Sequence, residues 1–212
     1  VNCCALVLAT GEQVVTDATV AVPFVRVGGV ALVVRAVRES VIVLVDRAQV
    51  DATRRLLAAS PWSVNVRPCD GAGHVQTALA ASSRPGQPAT VLVHEVNRPL
   101  TPPSLVLAVV ASARSLGAVV VPVLAVSDTI KRVDRDGRVL GTEERAGLRQ
   151  IQAPLAFPAE LLRGPAGTAL SPSLSVSGLL DRLPGPVHTV PGDPLAFGIA
   201  TAWDLLVAES LT

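Results

Sequence analysis

The run Val93-His-Glu-Val-Asn-Arg-Pro99 ends an apolar stretch with a carboxylate, Glu95, and a guanidinium, Arg98, three positions apart. A carboxylate at the carboxyl end of a buried strand suits a divalent cation such as Mg²⁺ or a ribose hydroxyl, and Glu95 is the candidate for either. Arg98 has two readings: a ligand for an anion, or a structural group that pairs with Glu95 or caps backbone carbonyls. His74 could exchange protons, but no carboxylate partner is identifiable for it, and a surface or helix-start position is the simpler reading. Cys3, Cys4 and Cys69 form neither a disulfide framework nor a metal-ligand spacing, and read as buried thiols in a reducing cytoplasm. No Gly-x-Gly-x-x-Gly follows the first apolar run, which disfavours an NAD-binding oxidoreductase.

The elements that must position these groups alternate. Short Val-rich runs at Cys4–Ala9, Val41–Val45, Val64–Val66, Thr90–Val93 and Ala118–Leu124 lack polar alternation, as strands buried on both faces do. Helical patterns occupy Leu32–Glu39, Arg47–Ala59, Val75–Ala81 and Ser104–Leu116, the last opened by Thr101-Pro-Pro. Strand–helix alternation predicts an α/β fold with a mostly parallel sheet covered by helices. Beyond Leu124 the rhythm changes. Residues 127–150 carry many charges around Asp134-Arg-Asp-Gly137, a turn between short extended segments, and predict a projecting β-arm. Pro154 marks the return to the body, Gly164–Gly178 reads as loop, and a helix runs from Thr201 to about Leu211. Asp193 in Pro-Gly-Asp-Pro reads as a turn former, and Trp62 and Trp203 as core or interface fillers.

With 212 residues the expectation is one domain, 1–212. A net charge of +1 and only 17% charged residues give no field to recruit nucleic acid or anionic lipid. The opening apolar run is too short to span a bilayer and later ones contain proline, so a soluble, cytoplasmic protein is expected.

Three segments, SDTIKRVDRDG, ERAGLRQIQAP and VPGDPLAFGIATAWDL, stand in the order and spacing found in 2-C-methyl-D-erythritol 4-phosphate cytidylyltransferases. LVLATGEQVVTDATVAVPFVRVGGVAL adds an ungapped likeness in the first half, so the chain resembles that family over nearly its whole length. The resemblance implies a Rossmann-like nucleotidyltransferase fold, an active site at the carboxyl ends of the strands, CTP as substrate with Mg²⁺, and an arm exchanged between the subunits of a homodimer. It also gives Thr129 and Arg145, on the arm, the acceptor-phosphate role; a hydroxyl and a guanidinium suit a phosphate monoester, though both could equally hold turns or subunit contacts. Glu95 stands at a family aspartate on the nucleotide side and Arg98 is kept there; with Gly11 these are the nucleotide-side candidates.

Elsewhere the family's residues are replaced. The glycine-rich loop, its arginine and the following proline-lysine pair wrap the triphosphate in the family, because charge develops on phosphoryl oxygens during attack at the α-phosphate. Here Gly11 remains, but Gln13 replaces the second glycine, Val15 the arginine and Ala21-Val22 the proline-lysine pair. Gly198 stands where a lysine follows Leu-Ala-Phe, and Leu174-Ser175-Val176 where the family has Thr-Asp-Asp. Arg26 is the nearest cation in sequence available to compensate. Asp128, Lys131 and Arg132 read as a charged arm surface. These replacements imply a catalytically impaired, dimeric binding or regulatory module whose partner is a small phosphorylated metabolite, a second copy or an active paralogue. The alternative is an active nucleotidyltransferase making a CDP-sugar alcohol from CTP and a phosphorylated acceptor for isoprenoid synthesis.

Overall fold

The computed structural model describes residues 3–9, 12–15, 18–21, 26–27, 30–31, 41–61, 63–69, 90–162 and 175–212. In chain order their strands are β1 (Cys3–Ala9), β2 (Glu12–Val15), β3 (Ala18–Ala21), β4 (Arg26–Val27), β5 (Val30–Ala31), β6 (Val41–Val45) and β7 (Val64–Pro68). There follow β8 (Thr90–Glu95), β9 (Val119–Ala125), β10 (Lys131–Val133), β11 (Val139–Thr142), β12 (Arg149–Ile151), β13 (Leu155–Pro158) and β14 (Val187–Pro191). The helices are α1 (Val50–Leu57), α2 (Pro103–Leu116), α3 (Val176–Leu180) and α4 (Ala202–Ser210).

The Val-rich runs pair as one sheet. β7, β6, β1 and β8 lie side by side and parallel, and β13 then joins antiparallel to β8. Val120 faces Ala156 and His188, and Val123 faces Ile151 and Pro191; β12 and β13 therefore run along one edge of β9 and β14 along the other. The result is a mixed, mostly parallel sheet. Side chains alternate between its faces: Leu6 and Leu8 join Val91, Val93 and Phe157 on one, while Val7 and Ala9 join Val43, Val45 and Leu205 on the other. Burial on both faces is why β1, β6, β8 and β9 read as unbroken apolar runs; β7 departs from that expectation, because it is the last strand of the sheet and leaves Asn65 and Arg67 exposed.

Local signals explain the helix limits. Pro103 occupies the first turn of α2, where a missing N–H is harmless, and Gly117 ends it at φ 59°, a left-handed conformation that glycine adopts without strain. Thr201 and Asp204 form a reciprocal capping box at the start of α4. Two expected helices, Leu32–Glu39 and Val75–Ala81, lie outside the described residues.

Several expectations need correcting. Of the stretch read as loop, residues 164–174 lie outside the described residues, and its end is not loop: the hydroxyl of Ser175 accepts the N–H of Gly178 and caps α3. Trp203 is 72% exposed, so it is no core filler; Trp62 lies outside the described residues. Strand β14 is an addition to the sequence reading, which assigns nothing to Val187-His-Thr-Val190; its flanking prolines are tolerated because it needs only one edge for pairing, and β9 supplies it. The hairpin β2–β3 was not anticipated either, with Glu12 opposite Ala21 and Val15 opposite Ala18.

The arm stands out by exposure. From Ser127 to Ile151 no residue is buried, and β10 pairs with β11 across the expected turn. Asp134 accepts the N–H groups of Asp136 and Arg138, and Gly137 takes φ 81°. Among the described residues no helix is long and apolar enough to cross a membrane.

Candidate functional site

Strand β8 ends at Glu95, and the turn after it brings Arg98 back onto that carboxylate. Arg98 Nε donates to Glu95 Oε2 at 2.9 Å, with the two side chains only 16% and 19% exposed. Glu95 Oε1 accepts the backbone N–H of Val176 at 3.0 Å, at the start of α3. Arg98 Nη1 donates to the carbonyl of Ala196 at 2.7 Å. Both structural readings of Arg98 are thus realised together: it pairs with Glu95 and caps a carbonyl. The carbonyl of Arg98 in turn accepts from Thr101 Oγ1 at 2.9 Å and from His94 Nε2 at 3.2 Å.

His94 is neutral at physiological pH. Burial, the largest influence, pulls its pKa down to about 4, although the bond to the Arg98 carbonyl and the nearby Glu95 charge act the other way. A carbonyl only accepts, so the proton sits on Nε2. Nδ1 has no hydrogen-bond partner.

Gly198 lies beside this cluster. A Cβ there would sit 3.6 Å from Arg98 Cζ and 3.6 Å from Asn97 Nδ2, ordinary contact distances. Room for a side chain exists, so packing does not enforce the absence of a cation at this position. Glu95, Arg98 and Gly198 are therefore neighbours, although the sequence reading puts the first two on the nucleotide side and the third at a lost acceptor-side lysine.

The acceptor-phosphate candidates both lie on the arm, in segments that hydrogen-bond to each other. Arg145 Nη1 donates to the carbonyl of Ser127, two residues before Thr129, and the N–H of Glu143 pairs with the carbonyl of Ile130 at 2.9 Å. Thr129 and Arg145 are both exposed. Their neighbours form the expected charged surface: Lys131 Nζ donates to Thr142 Oγ1 at 2.6 Å, and Arg132 pairs with Glu143 at 3.3 Å.

On the nucleotide side, Gly11, Val22 and His74 lie outside the described residues. Val15 is in β2, where its backbone pairs with Ala18. Arg26 is exposed in β4 and engaged in an interaction of its own. The donor set does not fit a resident Mg²⁺. Each Glu95 oxygen already accepts a donor, one of them from a cationic group that repels a divalent ion. Among the described residues no group of three or more His, Cys, Asp or Glu could hold a metal.

The sequence reading missed the partners that lack side-chain signals, the N–H of Val176 and the carbonyl of Ala196. It also passed over Gln152, although that residue stands inside the quoted RQIQAP segment.

A mostly parallel sheet with helices on both faces, a polar cluster at the carboxyl end of β8 and a β-arm inserted after β9 define the Rossmann-like nucleotidyltransferase class. A family model for 2-C-methyl-D-erythritol 4-phosphate cytidylyltransferase matches residues 4–212, and the chain belongs to that family. It is 42% identical over 190 residues to the enzyme of that name from Nocardia farcinica, covering 89% of this chain and 81% of the relative. It is 40% identical over 217 residues to the one from Rhodococcus opacus, covering 98% and 93%. The crystal structure of the Thermus thermophilus protein of the same name superimposes with a TM-score of 0.73 at 28% identity, covering 98% of this chain and 97% of that one.

Proposed function

We propose that this chain transfers a cytidylyl group from CTP to a phosphorylated polyol of the 2-C-methyl-D-erythritol 4-phosphate type, as a cytoplasmic homodimer. The observation that carries this is 40–42% identity, across most of the chain, to relatives named for that reaction. In it, an oxygen of the acceptor phosphate attacks the α-phosphorus of CTP. The bond to the bridging oxygen breaks, and pyrophosphate leaves with its electron pair. Little proton transfer is needed; positioning and cationic stabilisation carry the rate. Arg145 and Thr129 bind the acceptor phosphate from the arm, and Arg98 adds positive charge at the end of β8. The arm reaches the body of a second copy through Val133, Val139 and Leu140, each more than half exposed. With Val15, Val22 and Gly198 in place of cations, turnover is slow; each missing donor costs about a hundredfold to a thousandfold.

A second reading, a binding module without turnover, is favoured by those same three positions and by the mutual engagement of Glu95 and Arg98. The two part in one experiment: supply CTP, Mg²⁺ and 2-C-methyl-D-erythritol 4-phosphate, follow pyrophosphate release, and measure the binding of each ligand by calorimetry. Acceptor-dependent pyrophosphate release above a protein-free blank is expected. Acceptor binding without release would establish the second reading instead. Val15→Arg, Val22→Lys and Gly198→Lys combined should raise turnover about a hundredfold or more if lost cations limit it.

A further inference from the structure

At the root of the arm, Gln152 is 2% exposed, and both polar atoms of its side chain are engaged. Oε1 accepts the N–H of Asp193 at 2.9 Å, and Nε2 donates to the carbonyl of Asp193 at 2.8 Å. A carboxamide carries an acceptor and a donor side by side, as a peptide group does, so Gln152 grips one residue's backbone at two points. Its own N–H is held by the carbonyl of Pro122 in β9, which anchors the grip in the sheet.

The gripped segment runs directly to the Arg98 cluster. Asp193 Oδ1 accepts the N–H of Leu195, and the carbonyl of Asp193 accepts the N–H of Ala196. Ala196 then presents its carbonyl to Arg98, and Ile199 donates to the carbonyl of Asn97 at 2.8 Å. Gly192 is what permits the approach: a Cβ there would collide with Gln152 Oε1 and lie 3.0 Å from the carbonyl of Val123.

We propose that Gln152 is a positioning residue that ties the arm's root to the Gly192–Ile199 loop, and through Ala196 fixes where the Arg98 guanidinium stands. In an exchanged homodimer the arm's Thr129 and Arg145 face the body of a second copy, so a root held in each copy sets how those groups stand against the other copy's Arg98, as a single phosphorylated acceptor requires. The consequence for acceptor binding rests on the proposed function; the mechanical link does not.

The test uses the full chain labelled with ¹⁵N and reads solvent exchange of the Arg98 Nε–H. Gln152→Leu keeps the volume and removes both bonds, and Gly192→Ala pushes the amide aside. Each should speed that exchange by about tenfold or more relative to the unaltered protein. Gln152→Glu loses the donor at pH 7.5 and regains it when the buried carboxyl protonates, so its ratio to the unaltered protein should fall towards one at pH 5. Leu44→Ala, a destabilising change in β6, should leave Arg98 within about twofold, because a global loss of stability alone does not move it. Arg98 exchange unchanged in both Gln152→Leu and Gly192→Ala, or raised equally by Leu44→Ala, overturns the proposal. Should Gln152→Leu fail to fold, Gly192→Ala and the pH response of Gln152→Glu decide it. In turnover, KM for 2-C-methyl-D-erythritol 4-phosphate should rise while KM for CTP holds. Absence of turnover in the unaltered chain would sink the proposed function and leave the Arg98 readout to judge the link.

Discussion

The polar cluster at the end of β8 and the arm solve opposite problems. Around Glu95 and Arg98 each carboxylate oxygen has a donor, the guanidinium has two acceptors, and the loop that supplies one of them is itself held by Gln152. On the arm, Ile130, Val133, Val139, Leu140, Leu148 and Ile151 are all more than a third exposed, and its turn is held by local bonds. A self-satisfied cluster can be built within one chain. An exposed apolar strip gains its stabilisation only against another surface. The difference teaches that the body should respond to substitution through stability, and the arm through association.

The largest effect should come from the core of the sheet. Phe157 is fully buried in β13, and Phe157→Ala should cost about 3–5 kcal/mol in urea unfolding, with the midpoint moved and the slope kept. A cost under about 1 kcal/mol would mean that β13 packs less tightly than its burial indicates.

Acidification should come next. His94 refuses a proton down to about pH 4, whereas the unfolded chain accepts one near pH 6.5. Stability from this group is intact above pH 6.5, falls as pH drops towards 4, and levels off below, by roughly 3 kcal/mol in total. His94→Gln should remove that part of the slope. An undiminished slope in the variant would assign the acid sensitivity to carboxylates instead.

Arg98→Met should be milder, on the order of 1–3 kcal/mol, since Glu95 keeps Val176 but loses its cation and Ala196 loses its donor. Thermal unfolding beside Glu95→Gln would show whether the pair acts as a unit: a double variant no worse than the worse single one is expected.

Smallest in stability and largest in assembly should be Val139→Lys with Leu140→Lys. Unfolding free energy should stay within about 0.5 kcal/mol, while sedimentation shows the proposed homodimer dissociating. A double variant that remains paired would place the contact away from the arm.

The same contrast explains what was legible beforehand. Strands buried on both faces announce themselves as Val-rich runs, and Asp134 with Gly137 announces the arm's turn, because in each case the residues themselves carry the physical requirement. Glu95 and Arg98 could be paired from their spacing alone. Their other partners could not, since the N–H of Val176 and the carbonyl of Ala196 are backbone groups that any residue could supply. Strand β14 was hidden by its prolines, and Gln152 by standing apart in sequence from the residue that it grips.

The edge position of β14 also bears on how the molecule is built. Val187–Pro191 attaches to β9 only after the arm and the stretch beyond it have been laid down, and α4 covers β1 and β6 later still. Contacts between segments so far apart in sequence require large loops to close before they repay the entropy, which slows folding. During synthesis, β9 must therefore wait with one edge open until the ribosome has delivered nearly everything else, and that interval is when the chain is most exposed to mispairing.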